Sequence, residues 1–244
     1  MVGTAYIGTS GWHYRHWAGR FYPDDAATED FLAFYARHFR TVEINNTFYR
    51  LPSLDVLSAW NAATPANFIF ACKASRYITH MKKLKDAPQS TEHFFRAVQA
   101  LGSKLGPVLF QLPPRWRVNV DRLRRFLEVL PKAHRYAFEF RDQSWLCDEI
   151  FQVLRQHNAA LCLYDLDYRQ SPILLTVNFT YVRLHGPDGA YRGCYGEKNL
   201  NQWAQRIRAW RKDGLDVYCY FDNDEAGYAT QNAAQLIRLI ENGR

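Results

Sequence analysis

The chain has 244 residues, of which 48% are apolar and 23% charged, and a formal net charge of +7. That length suits one α/β barrel of roughly 250 residues, and the composition excludes a disordered chain. No stretch approaches the roughly 20 apolar residues of a membrane span, and no charged leader precedes Ala5-Tyr6-Ile7. The expectation is therefore one cytoplasmic domain over residues 1–244 with no membrane partner, its basic charge favouring anionic ligands without specifying one.

Short β-rich runs recur about every thirty residues, beginning near Ala5, Thr41, Phe68, Pro107, Tyr136, Ala159, Thr180 and Asp216. Helical stripes lie between them. Leu32, Tyr35, Ala36 and Phe39 share a face, as do Leu200, Trp203, Ala204 and Ile207, and Ala233, Leu236, Ile237 and Ile240. Thr28, Ser53, Ser90 and Asn119 stand where a side-chain oxygen caps a first helical turn. Between Tyr164 and Thr180 the chain offers turn chemistry and no amphipathic run, so the helix between strands six and seven is expected to be missing or vestigial. Alternating strands and helices predict a TIM-type (β/α)8 barrel. A doubly wound open sheet is the competitor, but Gly8-Thr9-Ser10-Gly11-Trp12 lacks the third glycine of a dinucleotide turn. Cys72, Cys147, Cys162, Cys194 and Cys219 form no Cys-x-x-Cys pair and read as reduced thiols.

Alternate strand residues face opposite sides of a sheet, so the polar phase of Val42-Glu43-Ile44-Asn45, Phe138-Glu139-Phe140-Arg141 and Val182-Arg183-Leu184-His185 is directed into the barrel. Ser10, Lys73, Gln111 and Asp222 occupy the last inward positions of their own strands. Buried charges must neutralise one another, reach solvent or bind a ligand. A closed structural network, Glu43 with Arg183 and Glu139 with Arg141, is one outcome; a ligand site at the carboxyl ends of the strands is the other.

The segments after strands one, three and four, Trp12–Trp17, Lys73–Lys83 and Pro113–Arg117, interleave bases with aromatics, whereas later loops carry Asp142, Asp165, Asp167, Asp188, Asp222, Asp224 and Glu225. Cations neutralise phosphate and aromatic rings stack on bases. The glycine-rich run from His185 to Gly196 offers backbone N–H groups beside Arg192. Glu43, Glu139, Asp165, His185 and Asp222 are of metal-ligating type, but their spacing defines no metal motif. No nucleophile elbow and no Cys-His signature is present.

Several of these motifs resemble the YecE-like family: Gly8-Thr9-Ser10-Gly11-Trp12, Val42–Tyr49, Lys73–His80, Leu109–Pro114, Phe138–Arg141, Tyr181–Gly186 and the run ending Asp222-Asn223-Asp224. The resemblance implies a TIM-type barrel and a shared site without assigned roles, because the family is one of domains of unknown function. Asp222 departs from the asparagine that the resemblance leads one to expect.

The sequence thus points to a hydrolase acting on an anionic, phosphate-bearing small molecule or nucleic acid. Glu43, Glu139, His185 and Asp222 are the catalytic candidates. Ser10, Trp12, Asn45, Tyr49, Lys73, Arg76, Gln111, Arg141, Trp145, Arg183, Gly186, Arg192 and Asn223 are the ligand-binding candidates. A carbohydrate hydrolase or isomerase using Trp12, Tyr49 and Trp145 as stacking platforms, and a noncatalytic nucleic-acid binder, are the alternatives.

Overall fold

Eight parallel strands form the wall of a barrel in the computed structural model, which describes residues 1–243. In chain order the strands are β1 (Ala5–Thr9), β2 (Thr41–Ile44), β3 (Ile69–Lys73), β4 (Leu105–Leu112), β5 (Tyr136–Phe140), β6 (Ala159–Leu166), the two-residue β7 (Arg169–Gln170), β8 (Phe179–Leu184) and β9 (Asp216–Phe221). Sequential neighbours pair around the wall, with β7 folded antiparallel onto β6, and β9 returns to β1. The expected strand starts lie within two residues of these, β4 beginning at Leu105 rather than Pro107.

Helices α1 (Phe31–His38), α2 (Asn46–Tyr49), α3 (Leu54–Ala62), α4 (Ala87–Val98), α5 (Val120–Val129), α6 (Asp148–Gln156), α7 (Glu197–Lys212) and α8 (Tyr228–Asn242) cover the outside. Their apolar stripes do this. Leu200, Trp203, Ala204 and Ile207 of α7 are buried, as are Ala233, Leu236 and Ile240 of α8, at the i, i+3, i+4, i+7 spacing that puts one helical face on a sheet. Ser53 accepts from Val56 N at 3.3 Å and Asn119 from Arg122 N at 2.9 Å, so both cap as expected. Thr28 and Ser90 do not. Thr28 opens a 3-10 turn, and Ser90 lies inside α4, where its hydroxyl donates to Ala87 O instead of capping.

The crossover from β6 to β8 consists of the β7 hairpin and irregular chain, which agrees with the helix expected to be missing. Hydroxyl groups take the place of a helix there. Thr176 Oγ1 accepts from Leu161 N at 2.9 Å and donates to Ala159 O at 2.7 Å, and Ser171 Oγ accepts from Tyr164 N at 3.0 Å. The side of β6 is thereby satisfied without a covering ladder.

Inside the wall, Ala71, Leu109, Ala137, Ala160, Phe179, Tyr181, Tyr218 and Tyr220 fill the lower layers, and the polar groups begin above them. Tyrosines here combine bulk with a polar tip, as Thr41 Oγ1 and the Tyr220 hydroxyl, 2.8 Å apart, illustrate.

The seam between β1 and β2 is the weakest part of the wall. A single bridge joins Ser10 to Glu43, with Gly11 N donating to Glu43 O at 2.9 Å. One level lower, the fully buried Tyr35 of α1 inserts its hydroxyl, which accepts from Thr9 N at 2.9 Å and donates to Thr41 O at 3.1 Å. A side chain from an outer helix thus replaces a missing rung. Tyr35→Phe should therefore destabilise the fold by about 1–3 kcal/mol, the cost of leaving buried polar groups unpaired. Urea denaturation measures this; a loss under about 0.5 kcal/mol would mean that packing alone holds the seam.

Candidate active site

Arg183, completely buried, occupies the centre of the carboxyl mouth. It reaches that place because β8 alternates: Tyr181 and Arg183 face inward while Val182 and Leu184 pack against the helices. Its Nε and Nη2 reach Glu43 at 3.0 and 2.8 Å, Nη1 reaches Glu139 Oε2 at 2.9 Å, and Nη2 reaches Asp222 Oδ2 at 2.8 Å. Three carboxylates from β2, β5 and the end of β9 thus surround one guanidinium. Both expected pairs, Glu43 with Arg183 and Glu139 with Arg141, are present.

Glu43 is fully enclosed. Besides Arg183 it accepts from Ser10 Oγ and, at 2.7 Å, from the Tyr181 hydroxyl, which fills its acceptor positions. Asn45 completes this corner by donating to Ser10 Oγ at 2.6 Å. Burial alone would raise the Glu139 carboxyl, but the charges of Arg141 and Arg183, with a smaller contribution from Lys73, overcome it and hold Glu139 well below the usual carboxylate range. Asp222 is raised instead, because burial outweighs its attraction to Arg183.

His185 Nε2 lies 3.2 Å from Arg183 Nη1 and 3.3 Å from Arg141 Nη2, both donors, so Nε2 presents its lone pair. Its proton therefore sits on Nδ1, 3.1 Å from Asp222 Oδ2. Burial and then the Arg183 and Arg141 charges push the imidazole well below its ordinary value, so His185 is neutral at pH 7. Arg141 ion-pairs with Glu139 through Nε, and its Nη2 also approaches Gln111 Oε1 at 3.4 Å.

Lys73, at the end of β3, is only 8% exposed, and its Nζ lies 4.4 Å from the centroid of the Phe48 ring. Among the described residues it has no carboxylate within 4.0 Å, because Glu43, Glu139 and Asp222 are held by arginines. Burial and the Arg183 charge lower its ammonium to about 8, against the partial opposition of those carboxylates.

The other sequence candidates are placed differently. Trp145 is fully buried outside the wall, stacked on Phe140, with its indole N–H donating to Trp116 O. Trp12, 3% exposed, packs edge-on against Trp60. Neither ring offers a free face. Tyr49 is exposed, but it lines a separate groove with Leu51, Val56 and Trp60. Arg76 and Arg192 are exposed loop residues. Gly186 N already donates to the Tyr195 hydroxyl at 3.0 Å, and a side chain there would strike the Arg192 backbone, so this glycine serves the turn. Asn223 is buried and ties the β9 loop to Gly193 O at 2.8 Å and to Asn232 at 2.9 Å.

Four contributors were not singled out from the sequence. Tyr181 and Cys162 share the inward phase of their strands, and that periodicity is the signal that finds them; Cys162 Sγ lies 3.9 Å from Glu139 Oε2. Tyr14 donates to Ser10 O at 2.8 Å. Tyr191, in the left-handed region at φ 66°, sets its ring edge-on over His185 at 5.4 Å, with its N–H donating to His185 O at 2.6 Å. Only the folded loop brings Tyr191 there.

Of the carboxylates that the sequence suggested as metal ligands, Glu43, Glu139 and Asp222 converge on the Arg183 guanidinium, whereas Asp165 stands apart and accepts from the Tyr195 hydroxyl at 3.3 Å. Among the described residues no group of three or more His, Cys, Asp or Glu side chains is arranged to hold a metal. Among the described residues no helix is long and apolar enough to cross a membrane.

A parallel barrel with an ionic cluster at its carboxyl mouth defines an α/β protein of the TIM-like class. Residues 6–244 match the family model described as "Protein of unknown function DUF72", and the chain belongs to that family. It is 28% identical to the UPF0759 protein YunF of Bacillus subtilis (strain 168), over 97% of this chain and 94% of that one. It is 32% identical to the UPF0759 protein YecE of Escherichia coli (strain K12) across 108 residues, 44% of this chain and 40% of that one. The crystal structure of a DUF72 family protein from Thermotoga maritima superposes with a TM-score of 0.89 at 28% identity, covering 98% of this chain and 99% of that one. A DUF72 family protein from Enterococcus faecalis shares the fold with a TM-score of 0.78 at 18% identity, covering 98% and 96% of the two chains.

Removing the central cation leaves buried carboxylates facing one another. Arg183→Met should cost about 3–5 kcal/mol or prevent folding, the penalty for breaking a buried ion pair from one side. Thermal melting reads this, and a midpoint within experimental error of the parent's would show that the cluster is not what neutralises the mouth.

Proposed function

We propose that this chain is an enzyme that hydrolyses a phosphate-bearing ligand, a nucleotide or nucleic acid, at the carboxyl mouth of the barrel. Lys73 moves the proton. The observation that carries this reading is the uncommitted amine: a nearly buried lysine whose neighbouring carboxylates are all engaged by arginines, and whose ammonium is lowered to about 8. A general base works best when its pKa lies near the working pH.

Glu43, a sequence candidate for acid or base, has no free acceptor position in this reading and serves to hold Arg183. Glu139 stays ionised beside two arginines, so it orients Arg141 and does not donate a proton. Neutral Lys73 takes a proton from water as the water attacks phosphorus, while the P–O bond to the leaving oxygen breaks and that oxygen takes up a proton from solvent. The resulting ammonium, with Arg141, then stabilises the charge that develops on the phosphoryl oxygens. His185, held in one tautomer by two arginines, turns its lone pair toward those guanidinium groups and keeps Arg141 in position.

Exposed bases ring this side of the mouth. Arg76, Lys83, Lys85, Arg115 and Arg117 favour a polyanion, and they support nucleic acid as the larger ligand. A noncatalytic binder would use the same bases and show the same salt dependence, but would not depend on Lys73. The carbohydrate reading loses two of its three stacking platforms, since Trp12 and Trp145 are packed away.

The experiment is a thermal-shift screen against inorganic phosphate, nucleotides and oligonucleotides, followed by turnover of whatever raises the melting temperature. Lys73→Met should lower kcat by about 10²-fold or more with the melting temperature nearly kept. In the parent, kcat should rise with pH through about 8, because only the deprotonated amine accepts a proton. Undiminished turnover by Lys73→Met removes Lys73 from the chemistry; ligand binding without turnover supports the binder.

A further inference from the structure

The geometry points to a second, covalent activity of the same amine: Lys73 is placed to form an imine with the carbonyl carbon of an aldehyde or ketone that carries a phosphate group. This inference rests on Lys73 being the uncommitted base of the mouth, and it goes beyond hydrolysis by naming a carbonyl as the group attacked.

Three observations carry it. The first is freedom from ion pairing, since an amine locked to a carboxylate keeps its proton and cannot attack. The second is fixation: Lys73 closes β3, its carbonyl accepts from Thr47 Oγ1 at 2.6 Å, and the next residue, Ala74, donates its N–H to Leu109 O at 2.8 Å. The backbone that carries the stem is therefore anchored at a strand end, and burial of the side chain limits the space open to the amine. The third is the Phe48 ring beneath Nζ, whose face stabilises the positive charge of a protonated imine as it does that of the ammonium.

The groups facing this amine come from several elements. Arg183 of β8 disfavours its charged form, and Glu43, Glu139 and Asp222 favour it. His80, whose ring stands edge-on to Phe48 at 5.0 Å, is lowered to about 4 by burial and then by Lys73, Arg76 and Arg141, so it is neutral at pH 7. A neutral imidazole beside the amine is suited to relay a proton through water.

The step balances as follows. The nitrogen lone pair bonds to the carbonyl carbon, and the π pair moves to oxygen, which takes up a proton as the nitrogen loses one. The carbinolamine hydroxyl then gains a proton and leaves as water as its C–O bond breaks, while the nitrogen lone pair forms the C=N bond. The protonated imine reverts by adding the same water. No oxidant or reductant takes part. Arg141, 10% exposed, is the cation next to the mouth that meets the phosphate.

Borohydride trapping on the full chain tests this directly. The protein is incubated with glycolaldehyde phosphate, reduced, digested, and mapped by mass, with uncharged glycolaldehyde as a parallel arm. Lys73 should be labelled about tenfold faster or more than the exposed Lys83 and Lys198, and faster by the phosphorylated aldehyde. Lys73→Arg, checked for an unchanged melting temperature, should lose that label alone. Labelling of Lys83 and Lys198 as fast as Lys73 overturns the inference. Where inorganic phosphate still raises the melting temperature in that case, the phosphate site stands without the imine. Preferential labelling of Lys73 by both aldehydes alike, with no phosphate shift, keeps the nucleophile and overturns the phosphate.

Discussion

The mouth of this barrel is organised by the need to neutralise one buried guanidinium. Arg183 has no access to water, and an unpaired charge in that position costs several kcal/mol even after relaxation. Its planar fork accepts partners only along fixed directions, so Glu43, Glu139 and Asp222 must arrive from three separate strands at matching heights. That requirement ties strand register to site geometry. A one-residue slip of β2 or β5 would turn its carboxylate out of the barrel and strand the cation.

Satisfying Arg183 also decides what the remaining groups can do. The carboxylates are engaged, which leaves Lys73 without a counter-ion of its own among the described residues, and two guanidinium groups beside His185 help keep it neutral. Desolvation acts on these two bases in the same direction as the neighbouring arginines, whereas for Glu139 the two effects oppose each other and the arginines prevail. One closed ionic network and one amine without an ion pair among the described residues therefore come from the same arrangement.

The loops add to the mouth in ways set by packing. Trp12 and Trp145 are too large to leave in water when aromatic partners stand beside them, and each folds into the shell around the wall. Tyr191 does the reverse: a left-handed backbone, supported by the turn at Gly186, lifts its ring over His185. The bases of the β3 and β4 loops remain exposed, where they attract anions at longer range.

The barrel was legible because its strands carry a period of two and its helices a period near 3.6, and both are local properties. The same period placed Glu43, Glu139, Arg183 and His185 on inward phases and anticipated both ion pairs, and it marked the β6–β8 crossover as lacking a helix. The same period also covers Tyr181 and Cys162, which were not singled out from the sequence. Tertiary structure alone decided which carboxylate is enclosed, that Lys73 has no ion-pair partner among the described residues, that Trp12 and Trp145 are packed away, and that Tyr35 completes the seam. Periodicity records which side of a strand a residue occupies. Distance, burial and competition for one cation depend on strands far apart in the chain, and no local pattern encodes them.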